Sequence, residues 1–500
     1  MSNKKKIIHG SIIDVFGNIV SSFVSFVFIK LYFNIVTKEE YGIWLAINGV
    51  ASLIGLLDIG VDQFLITQLT NPKLFHDKKI NTIISNSIII KTIIAFLFIV
   101  VGFIVYIFLP LLVNVPTSYL DVAKSTFSIN IIYLILNIFF NSSMTILIAK
   151  NHFSLVNSIV VVGSIINSFL VFILLKQGLG IVSFPLTLLL IGIIQFMILI
   201  WYINKTYPHI RLGKIDLKGQ KEMVSYSFSF QITKIAYVVR NQFLFIAINN
   251  IVGPIYVTLY SITNRIPQMV GIYMNKLVSP FFPTFCELVN DDQNEKLKSL
   301  VIRMTKFLVR YSIFFCIGVY YFNRSFISIW VGADKFSGIP SLTWLLLFTF
   351  ITSSFCGFGI IIYATKKFEK LPIISVIEVL MTIGLTYIIG KNYGFIGVLA
   401  GFVIGSSISQ FYMAYLAFKQ IRLSFIQFIK DSWQFILFPN LISLCVILTI
   451  NKIVVITNIY NFLFWCFIYS LSNFCCFEFP QIMKSNEKGF VNKIRSAFQL

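Results

Sequence analysis

The chain has 500 residues, of which 57% are hydrophobic and only 12% are charged, and its mean hydropathy is +0.86. A soluble protein carries roughly 25% charged residues, so this composition excludes a soluble multidomain protein, a disordered chain and a coiled coil. The net charge of +21 does not indicate nucleic-acid binding, because lysine and arginine are spread over many short loops rather than one basic face. We therefore predict an all-α polytopic membrane protein.

Apolar runs follow one another along the chain, and each is long enough to cross a bilayer as a helix. Fourteen runs are predicted as transmembrane spans: about 9–34, 41–67, 82–109, 121–148, 154–175, 180–202, 225–249, 255–279, 301–322, 340–364, 371–389, 394–418, 433–450 and 460–479. Pro185 in span 6 and Pro267 in span 8 are expected to kink or break their helices. Gly397, Gly401 and Gly405, four residues apart, predict close packing of span 12 on a neighbour.

The loops predict the orientation of the spans. Of the 40 lysines and arginines, 26 lie on the side that holds both chain ends and the loop 203–224, when Arg303 and Lys306 at the start of span 9 are counted with the preceding loop, and six lie on the opposite side. The remaining eight fall within spans. Because positive loop residues stay in the cytoplasm, both termini are predicted to be cytoplasmic.

The two halves of the chain resemble each other at an offset of about 216 residues. The matched positions include Asn34-Ile35-Val36 with Asn250-Ile251-Val252, Asn48 with Asn264, and Lys150 with Lys366. Six spans separate the copies, so they are parallel repeats with the same orientation. We predict an N-lobe at 1–215 with spans 1–6, a C-lobe at 216–420 with spans 7–12, and spans 13–14 with a cytoplasmic tail at 421–500.

Charged side chains inside the spans are candidate site residues, because each costs about 2.5–3.5 kcal/mol at mid-membrane and is expected to face protein or water instead of lipid. Basic residues outnumber acidic ones there, and a diphosphate would balance them, since arginine binds it as a bidentate donor and lysine as a point charge. The candidate substrate-binding residues are Arg265, Lys234, Lys91, Arg310 and Arg240. The alternative is that these charges form buried ion pairs, for example with Asp14 or Asp58.

Polar residues recur at helical spacing in spans 1, 2, 7 and 8, which are equivalent pairs in the repeat. Such stripes face protein or water, and they predict one central cavity between the lobes. The stripes include Asp14, Asn18, Ser21 and Ser25; Asn48, Ser52, Asp58 and Asp62; Ser227, Lys234 and Asn241; and Thr258, Ser261, Arg265 and Gln268. Lys234 and Arg265 are expected at a similar depth, about 15 Å into the membrane at 1.5 Å per residue.

Several short motifs carry a resemblance to a known family. They are Tyr41-Gly42-Ile43-Trp44, Leu56-Leu57-Asp58-Ile59-Gly60, Ser279-Pro280-Phe281-Phe282-Pro283 and Tyr393-Gly394-Phe395-Ile396-Gly397. With the span count and the repeat, the chain resembles the bacterial polysaccharide flippases of O-antigen type. These belong to the multidrug/oligosaccharidyl-lipid/polysaccharide exporter superfamily, whose fold is called MATE-like.

The resemblance implies a non-enzymatic flippase of the bacterial inner membrane that has no cofactor. It would move an undecaprenyl-diphosphate-linked oligosaccharide from the cytoplasmic to the periplasmic leaflet by alternating access, for O-antigen (lipopolysaccharide) or capsule synthesis, with polysaccharide polymerase machinery as a further partner. It also implies coupling to Na⁺ or H⁺, for which Asp14, Asp58 and Asp62 are the candidate acids.

Two other functions stay open from the sequence. A cation-coupled exporter of drugs or other small molecules from the same superfamily would favour an acidic cavity for cationic substrates, whereas this one is predicted to be basic. A membrane glycan polymerase or glycosyltransferase needs paired carboxylates on ordered outer loops, and none is visible. The seven cysteines have no spacing typical of a metal site, and no metal is predicted.

Overall fold

The computed structural model describes residues 3–58, 60–70, 79–208, 210, 213, 215–278, 281–291, 293–364, 371–420, 424, 428, 436–437, 440–450 and 458–473. Within these ranges every regular element is a helix. Seven helical segments in this part of the chain are long and apolar enough to cross a membrane, and four shorter helical segments are also apolar. The protein is a multi-pass, all-α membrane protein, and the described residues of each predicted span are mostly helical, with interruptions in spans 2 and 8.

The chain divides into two compact units, Met1–Thr258 and Leu259–Leu500. The helices of the first are α1 Asn3–Tyr32, α2 Lys38–Ile54, α3 Val61–Leu69, α4 Lys79–Leu112, α5 Leu120–Ala149, α6 Phe153–Lys176, α7 Ser183–Thr206 and α8 Leu217–Val252, followed by α9 Pro254–Thr263, which ends in the second. The others are α10 Arg265–Val278, α11 Phe282–Asn290, α12 Asn294–Trp330, α13 Ile339–Ala364, α14 Leu371–Gln420, α15 Asn440–Ile450 and α16 Ile459–Asn473.

Span 2 is broken into two helices, α2 and α3, where one continuous helix was expected. α2 begins with a capping box, in which Thr37 Oγ1 accepts from the Glu40 amide and the Glu40 carboxylate accepts from the Thr37 amide. It ends in a single 3₁₀ turn at Gly55–Leu57. Gly60 then adopts φ 74°, a left-handed conformation that favours glycine, and α3 begins at the next residue. The break places the N-terminus of α3 within the span.

Span 8 is broken at Asn264, between α9 and α10, as the position of Pro267 predicts. Proline has no amide hydrogen, so the carbonyl of Thr263, four residues earlier, loses its helical donor. The side chain of Asn323 on α12 supplies a replacement, because its Nδ2 donates to the Thr263 oxygen at 3.0 Å. Asn323 is buried, so a helix of the same unit braces the break from inside the protein.

The prediction of a kink at Pro185 is wrong. α7 begins at Ser183, directly after a 3₁₀ turn, so Pro185 lies in the first turn of the helix. The first amides of a helix have no carbonyl partner in the helix, and a proline there removes no hydrogen bond.

Spans 11 and 12 fold back on each other as the two halves of α14. The helix is interrupted at Gly394, whose φ of 60° and ψ of −139° reverse the chain. A side chain at Gly401 would meet the backbone of Leu385, and one at Gly405 would meet that of Thr382. The predicted close packing of span 12 is therefore confirmed, and its partner is span 11.

The Asn323 brace predicts a specific coupling between two substitutions. Asn323→Leu leaves the Thr263 carbonyl without a donor in an apolar setting, which costs about 1–3 kcal/mol. In a Pro267→Ala background the new alanine amide can donate to that carbonyl, so the same Asn323→Leu change costs less. Thermal unfolding of the four proteins in detergent measures the difference.

Asn275→Leu is the matched control, since Asn275 is exposed on α10 and bonds only within its own helix in the described contacts. Equal destabilisation by Asn323→Leu with and without Pro267 would contradict the brace.

Candidate functional site

Arg265 is the first residue of α10 and directly follows the break in span 8. Its side chain is half-buried, and Gln268, three residues further on, is exposed. The first amides of a helix carry partial positive charge, and anions bind there. A guanidinium beside a helix N-terminus inside a membrane span is suited to an anionic group such as a phosphate.

Arg310 occupies a different environment in the same unit. It is 1% exposed, within α12, and its guanidinium carbon lies 5.3 Å from the ring centre of Tyr311. Asn440 on α15 donates to the Arg310 carbonyl at 3.3 Å, which ties the two helices together at this level. In this conformation Arg310 faces protein, where a ligand cannot reach it.

In the first unit, Lys91 on α4 forms a buried ion pair with Asp62 in the first turn of α3. The Lys91 ammonium lies 2.8 Å from both carboxylate oxygens and 2.9 Å from the Ile138 carbonyl oxygen. Ser142 donates to the same carboxylate at 3.2 Å. An ammonium has three donors, and these three contacts use them all. Lys91, predicted to bind substrate, and Asp62, predicted to couple transport, are bound to each other in this conformation, so the ion-pair alternative describes them.

Both ends of α3 are held. The carboxylate of Asp62 favours the positive N-terminus. At the C-terminus, the amine of Lys150, which follows α5, donates to the Leu69 carbonyl at 3.1 Å. Partial burial lowers the pKa of Lys150 to about 8. The short helix after the break is thus fixed by polar contacts to α4 and α5.

Other residues of the predicted stripes also bond within the first unit. Ser21 on α1 lies 2.8 Å from Ser164 on α6, and the Asn48 side chain accepts from Asn130 on α5 at 3.2 Å. These hydrogen bonds between helices account for the polar residues inside the spans. The prediction that the same residues line a central cavity stays a prediction.

The remaining candidates are placed as follows. Asp58 is half-buried at the break in span 2, where it lies 3.4 Å from the Gly60 amide nitrogen. Arg240 is buried on α8. The side chains of Lys234 and Asp14 lie outside the described part of the chain, although both backbones are helical.

A set of polar contacts joins the end of α8 and the start of α9 to the ends of α2 and α4. Asn250 Nδ2 donates to the Leu112 carbonyl at 2.9 Å, and its Oδ1 accepts from the Asn114 amide at 3.2 Å. Thr258 donates to the Lys38 carbonyl at 2.6 Å. A side chain at Gly42 would meet the Pro254 carbonyl. We call these contacts the outer latch, because they would lie on the outer side in the orientation predicted from the sequence.

The outer latch explains why the compact units divide after Thr258 and not at the end of the predicted N-lobe, 1–215. α8 belongs to the C-lobe in the repeat, but in this conformation its described residues pack mainly against α2, α3 and α4. The lobe boundary rests on the repeat and stays a prediction.

Sequence reasoning missed two residues that hold these features, Asn323 and Ser142. Both are polar residues inside apolar helices, which is the available signal. Neither carries a charge, and nothing in the sequence shows that Asn323 faces the carbonyl freed by Pro267 or that Ser142 faces Asp62.

The buried ion pair predicts that single substitutions cost more than a paired one. Lys91→Met leaves the Asp62 carboxylate without its cation and should lower the free energy of unfolding by about 3 kcal/mol, near the lower end for broken buried pairs, because Asp62 keeps some exposure. Lys91→Met/Asp62→Leu should recover most of that loss. Denaturant titration in micelles, followed by tryptophan fluorescence, measures both.

Lys205→Met serves as the control, since Lys205 is exposed at the end of α7. A double variant that is less stable than Lys91→Met would contradict the role assigned to the pair.

Comparison with known structures places the fold. The chain superimposes on the lipid II flippase MurJ in an inward closed conformation with a TM-score of 0.71, at 19% identity, covering 94% of this chain and 97% of that one. An inward-facing MATE transporter of the MOP superfamily gives a TM-score of 0.64 at 15% identity, covering 80% and 94%. An outward-facing one gives 0.54 at 16%, covering 84% and 96%.

These likenesses establish the fold, which is that of MurJ and the MATE transporters, as the sequence predicts. A comparison with curated proteins gives no match in sequence. The family model described as "Polysaccharide biosynthesis protein" matches residues 7–289. The relatives in fold are a flippase and transporters and not enzymes. Because the family model spans more than half of the sequence, the chain belongs to the polysaccharide biosynthesis protein family.

Proposed function

We propose that the protein is a flippase that moves a polyprenyl-diphosphate-linked oligosaccharide between membrane leaflets for the synthesis of a surface polysaccharide, O-antigen or capsule. Family membership and the fold shared with a lipid II flippase support this function. The observation that carries it is Arg265, a half-buried cation at a helix N-terminus inside a broken span.

In this proposal the diphosphate binds Arg265 and the first amides of α10. Lys234 adds a second cation, because its position in the 36-residue helix α8 is well inside the membrane. The glycan fills a hydrated cavity and the polyprenyl tail stays in lipid. Lys91 and Arg310 support the fold in this conformation, since both are buried among protein groups.

Transport proceeds by alternating access, in which the predicted lobes separate on one side at a time. The outer latch is the closed outer side: its hydrogen bonds join helices of the predicted C-lobe to helices of the predicted N-lobe. We further propose cytoplasmic termini and an inner-membrane location, which the 26-to-6 bias of basic loop residues supports. Coupling to Na⁺ or H⁺ and an association with polymerase machinery stay predictions from the family resemblance.

The second candidate is a cation-coupled exporter of small molecules. The likeness to MATE transporters favours it. The basic character of the described break in span 8 disfavours it for cationic drugs, because Arg265 would repel them.

Substitution of Arg265 tests the substrate site. Arg265→Ala should lower assembly of the surface polymer about tenfold or more at a normal protein level, because a charge-assisted contact is worth about 1.5–3 kcal/mol. Arg265→Lys should restore part of the activity, since it returns the charge without the bidentate geometry. Polymer is quantified in cells that depend on this protein.

Arg324→Ala is the control, since Arg324 is an exposed cation on α12 outside the break. Normal polymer export by the Arg265→Ala variant would contradict the proposed substrate site.

The outer latch predicts that a covalent link across it stops transport. In a cysteine-free protein, Asn114→Cys/Asn250→Cys places two thiols where a hydrogen bond from the Asn114 amide to the Asn250 side chain now joins the loop after α4 to α8. Oxidation or a short cross-linker should abolish polymer assembly, and cleavage of the link should restore it.

Ser21→Cys/Ser164→Cys is the matched pair, because it links α1 to α6 within the predicted N-lobe. Its cross-linked form should still transport. Undiminished transport by the linked Asn114/Asn250 pair would rule out opening at the latch.

A further inference from the structure

Two helices of the first unit form an apolar groove. Ile93 and Leu97 on α4 form one wall, Leu217 and Val224 on α8 form the other, and Leu57 is a further lining residue. The groove has a volume of about 590 Å³. Ile93 is 55% exposed and Leu217 is 77% exposed in the protein alone, so the walls open to the surroundings.

Each wall is one face of a helix. The lining positions on α4 are Ile90, Ile93, Ile94 and Leu97, and those on α8 are Leu217, Gln220, Lys221 and Val224. Both sets have the spacing i, i+3, i+4, i+7, which places them on one side of a helix. The groove therefore runs between two aligned helical faces.

The end of the groove near the start of α8 is fixed by hydrogen bonds. The Asn86 side chain donates to the Asp216 carbonyl at 3.0 Å and accepts from the Asp216 amide at 3.1 Å. Ser85 accepts from the Gly213 amide at 2.7 Å. A side chain at Gly213 would collide with the backbone at Asn81, so the linker before α8 lies directly against α4. The spacing of the two walls is thus set by the protein and not by whatever fills the groove.

The charged residue that lines the groove indicates which class of molecule binds in it. Among the described side chains that line the groove, Lys221 is the one charged group, and it is exposed. Asp216, the acid at the start of α8, directs Oδ1 at the Lys218 amide of its own turn. Within a bilayer an apolar groove holds a lipid chain, and a single lysine among the lining residues, in the second turn of α8, favours a headgroup with one negative charge.

We propose that the groove binds an anionic phospholipid, with an acyl chain between α4 and α8 and the phosphate at Lys221. The occupant is a phospholipid and not the proposed diphosphate substrate, because the described lining includes one cation and does not include Arg265. In the proposed orientation the lipid belongs to the cytoplasmic leaflet. The choice of leaflet is the one part of this proposal that rests on the proposed function, because lipid binding does not depend on whether the protein transports a substrate.

Native mass spectrometry of the purified full chain in detergent tests the proposal. The probes are phosphatidylglycerol, phosphatidylcholine with the same acyl chains, and a polyprenyl monophosphate. Wild type should bind phosphatidylglycerol about fivefold more tightly than phosphatidylcholine, and Lys221→Gln should remove that preference, as expected for one lysine near an anionic headgroup. Ile93→Trp should fill the groove and weaken both phospholipids.

Two controls match these changes. Lys205→Gln removes another exposed lysine at a helix end. Ile107→Trp adds the same bulk to α4 outside the groove, at a residue 54% exposed. Neither should alter binding. The proposal is overturned if Lys221→Gln keeps the preference, if Ile93→Trp has no more effect than Ile107→Trp, or if polyprenyl phosphate displaces phosphatidylglycerol. None of these outcomes depends on whether the protein transports an oligosaccharide.

Discussion

Inside a bilayer every backbone amide and carbonyl must find a partner within the protein, and this requirement organises the structure described here. Two spans are nevertheless broken, and the chain supplies what each break lacks. In span 8 the carbonyl freed by Pro267 receives a hydrogen bond from Asn323. In span 2, Gly60 adopts a left-handed conformation directly before the second helix begins. A break braced in this way can expose a helix N-terminus at a depth where charge is otherwise excluded.

The same requirement applies to the charged side chains within the spans, because each needs polar or oppositely charged groups nearby to stabilise its charge inside the bilayer. Lys91 is compensated fully by Asp62 and a carbonyl. Arg310 is enclosed among protein groups beside an aromatic ring. Arg265 differs from both in exposure, since it is half-buried at the start of a helix whereas Lys91 and Arg310 are fully buried. Of these three cations, Arg265 is the one with an accessible side chain, which is why the proposed function depends on it.

Much of the fold is predictable from the sequence, since apolar runs of bilayer length specify spans directly. The break near Pro267 is also predictable, because a missing amide is a property of one residue. Pro185 has the same chemistry without the same effect, since its consequence depends on where the helix begins. The pairing of Lys91 with Asp62 could be named only as one alternative. Their contact joins α4 to a helix that exists only because span 2 is broken, and that break was not predicted. The lobe boundary differs from the compact units for a related reason: the repeat reflects the order of the spans, whereas the units reflect the contacts of one conformation.

The central claim is that this protein moves a diphosphate-linked glycan lipid across a membrane. Its most direct test is reconstitution of the purified chain into liposomes that carry a fluorescent polyprenyl-diphosphate oligosaccharide in one leaflet. Exposure of the glycan to a membrane-impermeant quencher on the other side is then followed over time. The account predicts transfer that requires the protein and is lost in Arg265→Ala. Transfer no faster than in empty liposomes, together with protein-dependent movement of a cationic dye, would contradict it and support the exporter.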